Sequence, residues 1–252
     1  MPQPIAKIVQ NPRVNLDSGA LDNKPEMTKL VCRIFAVWAH IERQLIFLLI
    51  PVLGADAKAA VAIHSILTAQ HLQLKALEAA AEAVLPPDDY DIFLAVMEIA
   101  DAAQIPRNHL AHWTWCTCEQ KPELLCLADP KKLKERDFET AKKVHAAKTL
   151  EETYGMVQAR GNFSDVTGIL AYSEADLRRA LRDMAYADDA ILHLTNRLDP
   201  KVFLSFAMTG GAEIFATTLD TVRDLALAVL SEIPPFREAL DRRRKDRQNT
   251  QP

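Results

Sequence analysis

The sequence predicts a mostly α protein, an antiparallel helical bundle with an appended β-hairpin and extra C-terminal helices. Three observations predict it. The chain has 252 residues but only 7 glycines, and 6% of it is aromatic, a composition that favours helix over sheet. Apolar residues recur at steps of three and four over several long stretches, which is the signature of amphipathic helices. In one place, directly after His112, the period switches to two, as in a strand.

The chain divides into an extended N-terminal arm at 1–27, a helical bundle at 28–200 with a hairpin at about 112–128, and a C-terminal helix with a basic tail at 201–252. The arm is rich in proline and polar residues and has no apolar run of signal-peptide length. From Thr28, the residues Leu30, Ile34, Trp38, Ile41, Leu45 and Leu48 form one stripe, and Pro51 with Gly54 closes that helix. Its opposite side carries Arg33, His40, Glu42 and Arg43. Glu42 either reaches a site on a neighbouring helix or belongs to a solvated face.

Asp56 caps a second helix that runs to Val84, with Ile63, Ile66, Leu67, Leu74, Leu77 and Val84 as its buried stripe, and Pro86-Pro87 stops it. His64 and His71 share a face, which fits a metal site or ordinary core and surface histidines, but no Glu-x-x-His pair occurs in this half of the chain. Asp88 and Asp91 start a third helix, whose Ile92, Val96, Ile99 and Ala103 face a core. Pro106 suits the first turn of a further helix, where its missing N–H costs nothing.

Beyond His112, Trp113 and Trp115 share one face of a strand, and Thr114, Cys116 and Cys118 share the other. Leu124 to Ala128 returns as its partner across Lys121-Pro122. Trp113 then serves either as a stacking surface for a base or as hairpin core. Cys116, Cys118 and Cys126 are read as buried thiols behaving as small apolar groups. The competing zinc reading suffers because Cys-x-Cys lacks the usual two-residue gap.

Asp129-Pro130 caps a helix to Lys148 that holds Lys131, Lys132, Lys134, Arg136, Lys142, Lys143 and Lys148 against three acids. Lys131, Lys132, Lys134 and Arg136 are the candidates for holding an RNA backbone. The competing reading is a solvated helix laced by Lys131–Glu135 and Glu139–Lys143 pairs. Gly155, Gly161 and Gly168 mark an irregular region with one strand at Ile169–Tyr172. Ser173 and Asp176 start a helix that buries Leu177, Leu181, Met184 and Ile191 and leaves Asp188-Asp189 in water. A last helix from about Thr218 to Ile233 buries Leu219, Val222, Leu225 and Val229. Arg237, Arg242-Arg243-Arg244-Lys245 and Arg247 form a frayed basic tail.

The formal net charge of −4 argues against a globally basic nucleic-acid binder and leaves room for local basic patches. Four cysteines in a chain of this size do not make an extracellular disulfide framework, so the expected setting is reducing and cytoplasmic. The longest apolar run, Leu45–Leu53, is far short of the roughly 20 residues a bilayer helix needs, so no membrane span is expected. The chain has no Gly-x-Gly-x-x-Gly, Gly-Lys-Ser/Thr loop, Gly-x-Ser-x-Gly elbow or His-Glu-x-x-His, which leaves P-loop hydrolysis, the serine-elbow hydrolases and zinc peptidases unsupported.

The stretch that remains is Ile105-Pro106-Arg107-Asn108-His109-Leu110-Ala111-His112. It combines a guanidinium, which holds phosphate charge, with imidazoles that titrate near neutral pH. On an ideal helix Asn108 and His112 lie roughly 40° apart, one turn from each other, and small Ala111 lets the long Arg107 side chain curl across. These six residues, Arg107 to His112, resemble the Arg-Asn-x-x-x-His motif of the HEPN superfamily (higher eukaryotes and prokaryotes nucleotide-binding). The helices from roughly Thr28 to Thr117 resemble it in pattern only.

The resemblance implies a HEPN-like helical bundle that pairs as a homodimer, and a metal-independent endoribonuclease acting as a toxin or phage-defence effector. His112 is then the proton-transfer group, Arg107 stabilises charge on the phosphoryl group, and Asn108 orients. Glu42, His109 and Trp113 give support. RNA is the expected substrate, no metal or other cofactor is expected, and an antitoxin or other regulatory partner is implied. Two other classes stay open: a non-catalytic HEPN-like dimer that binds RNA, nucleotide or protein, and a structural helical dimer.

Overall fold

The computed structural model describes residues 1–54, 57–67, 69–147, 149, 151, 166–201 and 219–250. Asp56, Lys148, Gly155, Gly161 and Thr218, named above, lie outside the described residues. The described chain is mostly helical with one small antiparallel sheet. It divides into two units, Met1–Phe35 with Ile105–Arg182, and Ala36–Gln104 with Asp183–Pro252.

The first unit is built on a five-stranded sheet of order β1-β5-β4-β3-β2, formed by β1 Gln3–Pro4, β2 Val14–Leu16, β3 Thr114–Cys118, β4 Leu125–Ala128 and β5 Ile169–Tyr172. The expected hairpin is its centre: Thr114 pairs with Ala128, Trp115 with Leu127 and Cys116 with Cys126. The N-terminal stretch supplies both edges, where Val14 pairs with Cys118 and Gln3 with Ala171. An edge is where a strand tolerates Pro4, which has no N–H to give to a ladder. One face of the sheet is a core of Ile5, Val14, Cys116, Cys118, Leu124, Cys126, Ala128, Ile169 and Ala171. The cysteines, and not the tryptophans, are the hairpin's core residues.

This unit also holds the start of α1 (Pro25–Leu53), the end of α4 (Pro87–His112), all of α5 (Pro130–Ala146) and the start of α6 (Glu174–Leu198). The Asp129 carboxylate accepts from the Lys131 N–H at 2.8 Å and Pro130 follows it, so the expected cap opens α5. At α6 the cap is reciprocal: the Asp176 N–H donates to Ser173 Oγ at 3.2 Å, and Asp176 Oδ2 accepts from the Ser173 N–H at 3.0 Å.

The second unit contains the rest of α1, α4 and α6, with α2 (Ala57–Ile66), α3 (Gln70–Val84), α7 (Leu219–Glu232) and α8 (Pro234–Thr250). The stripe expected on α1 is buried at Trp38, Ile41, Leu45 and Leu48, and that of α4 at Ile92, Val96, Ile99 and Ala103. The single helix expected from Asp56 to Val84 is two helices. Gln73 bridges them, its side-chain amide donating to the Leu67 carbonyl at 2.6 Å and the His64 carbonyl at 3.3 Å, which satisfies orphaned groups at the end of α2. With the helix broken there, Leu77 is buried but Ile63, Ile66 and Val84 are exposed.

On α7 the buried stripe is Val222, Ala226 and Leu230, while Leu219 and Leu225 are exposed. The segment Leu225 to Leu230 is apolar all round, so spacing alone permits two stripes and packing selects one. The basic tail is not frayed. It forms α8, which buries Phe236, Ala239 and Leu240, and its guanidinium groups bind the acidic half of α4. Arg242 and Arg243 both reach Glu98, and Arg247 reaches Asp88 at 2.7 Å and Asp91 at 2.9 Å. Asp188, expected in water, meets His40 at 2.8 Å.

Helix α1 is long and apolar enough, by length and composition, to cross a membrane. It also carries Lys29, Arg33, Glu42 and Arg43, charges that are costly inside a bilayer, and its apolar stripe is buried within the protein. We read it as a core helix.

Candidate functional site

The motif lies on the last two turns of α4, which runs unbroken through Pro106. Pro106 does not start a new helix. It sits inside one and has no N–H to offer the carbonyl of residue 102, and a proline in a helix interior costs about 3 kcal/mol relative to alanine. Buried Ala103 and Leu110 on either side hold the helix in place. Its end is closed from the hairpin: the Trp113 N–H donates to the His109 carbonyl at 2.9 Å, and the Trp115 indole donates to the Leu110 carbonyl at 3.0 Å.

With Leu110 turned into the core, Arg107 and Asn108 are half-buried and His112 is exposed. The Arg107 guanidinium donates to the Asn108 side-chain oxygen at 3.1 Å. Asn108 and His112 follow each other at one helical turn, on one side of the helix, and the guanidinium is bonded to the first of them. Such a set is competent to bind a phosphate and to exchange a proton with it.

His109 is half-buried and shares a 2.7 Å hydrogen bond between its Nδ1 and the hydroxyl of Tyr172, the last residue of β5. Its ring lies tilted against that of Trp113, with centroids 4.2 Å apart and an interplanar angle of 37°. Burial holds the His109 pKa below the usual value, and the Asp129 carboxylate offsets that in part. Burial likewise pushes the fully buried Tyr172 phenol up. Burial therefore favours the neutral form of His109, which packs at the end of α4 between Tyr172 and Trp113. Tyr172 was missed by the sequence reading. It stands 63 residues from His109, and only the pairing of β4 with β5 brings the two together.

Glu42 belongs to the second unit, where it accepts from the Trp38 indole at 2.7 Å. It lines a small cavity with Leu45, Leu49, His64, Gln73, Leu74 and Leu77, so it faces the protein interior.

The four basic candidates on α5 separate into two pairs. Lys132 is engaged by Glu135 at 2.9 Å and Arg136 by Asp137 at 3.5 Å, and both line a small cavity beside Gly168. Lys131 and Lys134 are exposed. The helix is laced at spacing three, Lys132–Glu135 and Glu139–Lys142, and not by the Lys131–Glu135 and Glu139–Lys143 pairs expected. The start of α5 lies by the end of α4. Thr114 pairs with Ala128, two residues beyond His112 and two before Pro130, and Asp129 is close enough to act on His109.

Burial pushes the Cys116 and Cys126 thiols up to about 12. Among the described residues no group of three His, Cys, Asp or Glu is arranged to hold a metal ion. The first unit has a cleft of about 810 Å³ lined by Asp17, Lys24, Glu119, Glu123 and Glu174 among others, and no motif residue lines it.

Comparison with known protein families, with curated proteins and with solved structures finds no match.

Proposed function

We propose that the chain is a metal-independent endoribonuclease of the HEPN type. The observation that carries the reading is the set at the end of α4: Arg107 bonded to Asn108, with His112 one turn on and open to solvent. In this reading the 2′-oxygen attacks the adjacent phosphorus and the bond to the 5′-oxygen breaks. His112 takes the proton from the 2′-hydroxyl or gives one to the departing 5′-oxygen, and Arg107 balances charge on the non-bridging oxygens. Asn108 orients the phosphate or the imidazole, and the products carry a 2′,3′-cyclic phosphate and a 5′-hydroxyl.

One chain supplies one such set, so we propose a homodimer that brings two to one scissile bond. A cytoplasmic toxin or phage-defence effector held in check by an antitoxin or other regulatory partner is the biological setting proposed.

A second reading is a non-catalytic binder of RNA, nucleotide or protein, favoured by the engagement of the Arg107 guanidinium with Asn108 inside the chain. Incubation with end-labelled RNA in EDTA separates the two. The nuclease reading expects cyclic-phosphate fragments from the natural chain and about 10²–10⁴ slower release of them from His112→Ala; the second expects retarded but intact RNA.

A further inference from the structure

Helix α5 has no buried residue in its 17. Its half-covered edge is Leu133, Arg136, Asp137, Thr140 and Val144, and its outer face contains an apolar exception, Phe138, at 62% exposure. A single exposed apolar residue needs no explanation of its own; the neighbours of this one distinguish it. At 100° per residue, Lys131, Lys134, Phe138, Lys142 and His145 fall within roughly 80° of the helix circumference and span about 21 Å along its axis. All five are exposed, and the Lys142 ammonium sits over the Phe138 ring at 4.5 Å from its centroid and is paired with Glu139 at 2.9 Å. Lys132 and Arg136 lie outside this arc, in their contacts with Glu135 and Asp137.

An aromatic face set in a row of lysines is the pairing that single-stranded nucleic acid requires. Bases stack on the ring without regard to sequence, and ammonium groups track the phosphates. We propose that this face of α5 is the docking surface for single-stranded RNA, with Phe138 as the residue on which a base stacks and Lys131 and Lys134 as its phosphate contacts. Charge complementarity selects the partner: the row is cationic in a chain of net charge −4. The surface begins at the end of the hairpin that follows His112. The inference rests on the ribonuclease reading for the identity of the strand as RNA, and names how that strand is held.

The test uses the full chain carrying His112→Ala, so that RNA stays intact, and the anisotropy of a fluorescein-labelled oligouridylate. Phe138→Ala is expected to weaken binding roughly 5- to 100-fold, the usual worth of one stacked base, and Phe138→Trp to restore it. Lys131→Ala with Lys134→Ala is expected to flatten the slope of log affinity against log salt by about 1.4, at about 0.7 per phosphate contact on a single strand. An abasic oligomer of equal length is expected to bind like natural RNA to the Phe138→Ala variant. Equal binding by the natural chain and Phe138→Ala, equal binding of abasic and normal strands, or no binding at all overturns the proposal. Circular dichroism melting of each variant excludes misfolding as the cause, since these side chains are exposed. Cleavage in EDTA by the natural chain is scored separately. Cleavage with Phe138-independent binding defeats this inference alone, and Phe138-dependent binding without cleavage defeats the nuclease reading alone.

Discussion

Removing one oxygen atom tests how the end of α4 is held. In Tyr172→Phe the ring that fills the interior beside β5 is kept and the hydroxyl that meets His109 Nδ1 at 2.7 Å is lost. Tyr172 is fully buried, so no water replaces the hydroxyl, and His109 keeps a ring nitrogen with no partner in its place. Leaving one buried group unsatisfied costs about 1–3 kcal/mol. In a chain of this size 1 kcal/mol moves Tm by about 2–4 °C, so a fall of about 2–12 °C is expected in a thermal melt. An unchanged Tm refutes the claim that Tyr172 anchors this turn.

Further outcomes follow from the same contacts. Pro106→Ala restores an N–H inside α4 and is expected to raise stability by up to about 3 kcal/mol in urea unfolding; a loss of stability would mean that the proline is accommodated by a distortion the helix needs. Ellman's reagent at neutral pH is expected to modify exposed Cys32 and to spare Cys116, Cys118 and Cys126 until denaturant is added, because burial suppresses the Cys116 and Cys126 thiolates; four fast thiols would contradict the sheet core. His109 and His193 are held below the usual imidazole value by burial. The unfolded chain therefore binds more protons than the folded one as pH falls below about 6.5, and stability present above that pH is lost on acidification. A Tm that is flat from pH 7.5 to 5 contradicts this.

The parts of the fold that the sequence disclosed are those with a strong local period. The α1 and α4 stripes, the Asp129-Pro130 cap and the hairpin all follow from neighbours within a turn or a strand. The parts it concealed depend on distant partners. Strands of two and three residues at Gln3–Pro4 and Val14–Leu16 carry no period, and they exist because β5 and β3 offer open ladders. Helix α7 has apolar residues on two faces, and α8 looked like a solvated tail until Glu98, Asp88 and Asp91 were there to receive it. At the site, Arg107, Asn108 and His112 were legible because they lie within one short helical segment. Tyr172 was not, because no local pattern ties residue 172 to residue 109. Phe138 was passed over because the charges around it suggested a merely solvated helix.

The proposed RNA cleavage by the side chains at the end of α4 is read from the rate at which the purified full chain converts end-labelled RNA to cyclic-phosphate fragments in EDTA, set beside His112→Ala. The expected result is metal-independent cleavage that falls by about 10²–10⁴ in the variant, the usual worth of a general acid or base. Equal rates in the two proteins, or intact RNA with both, would contradict it.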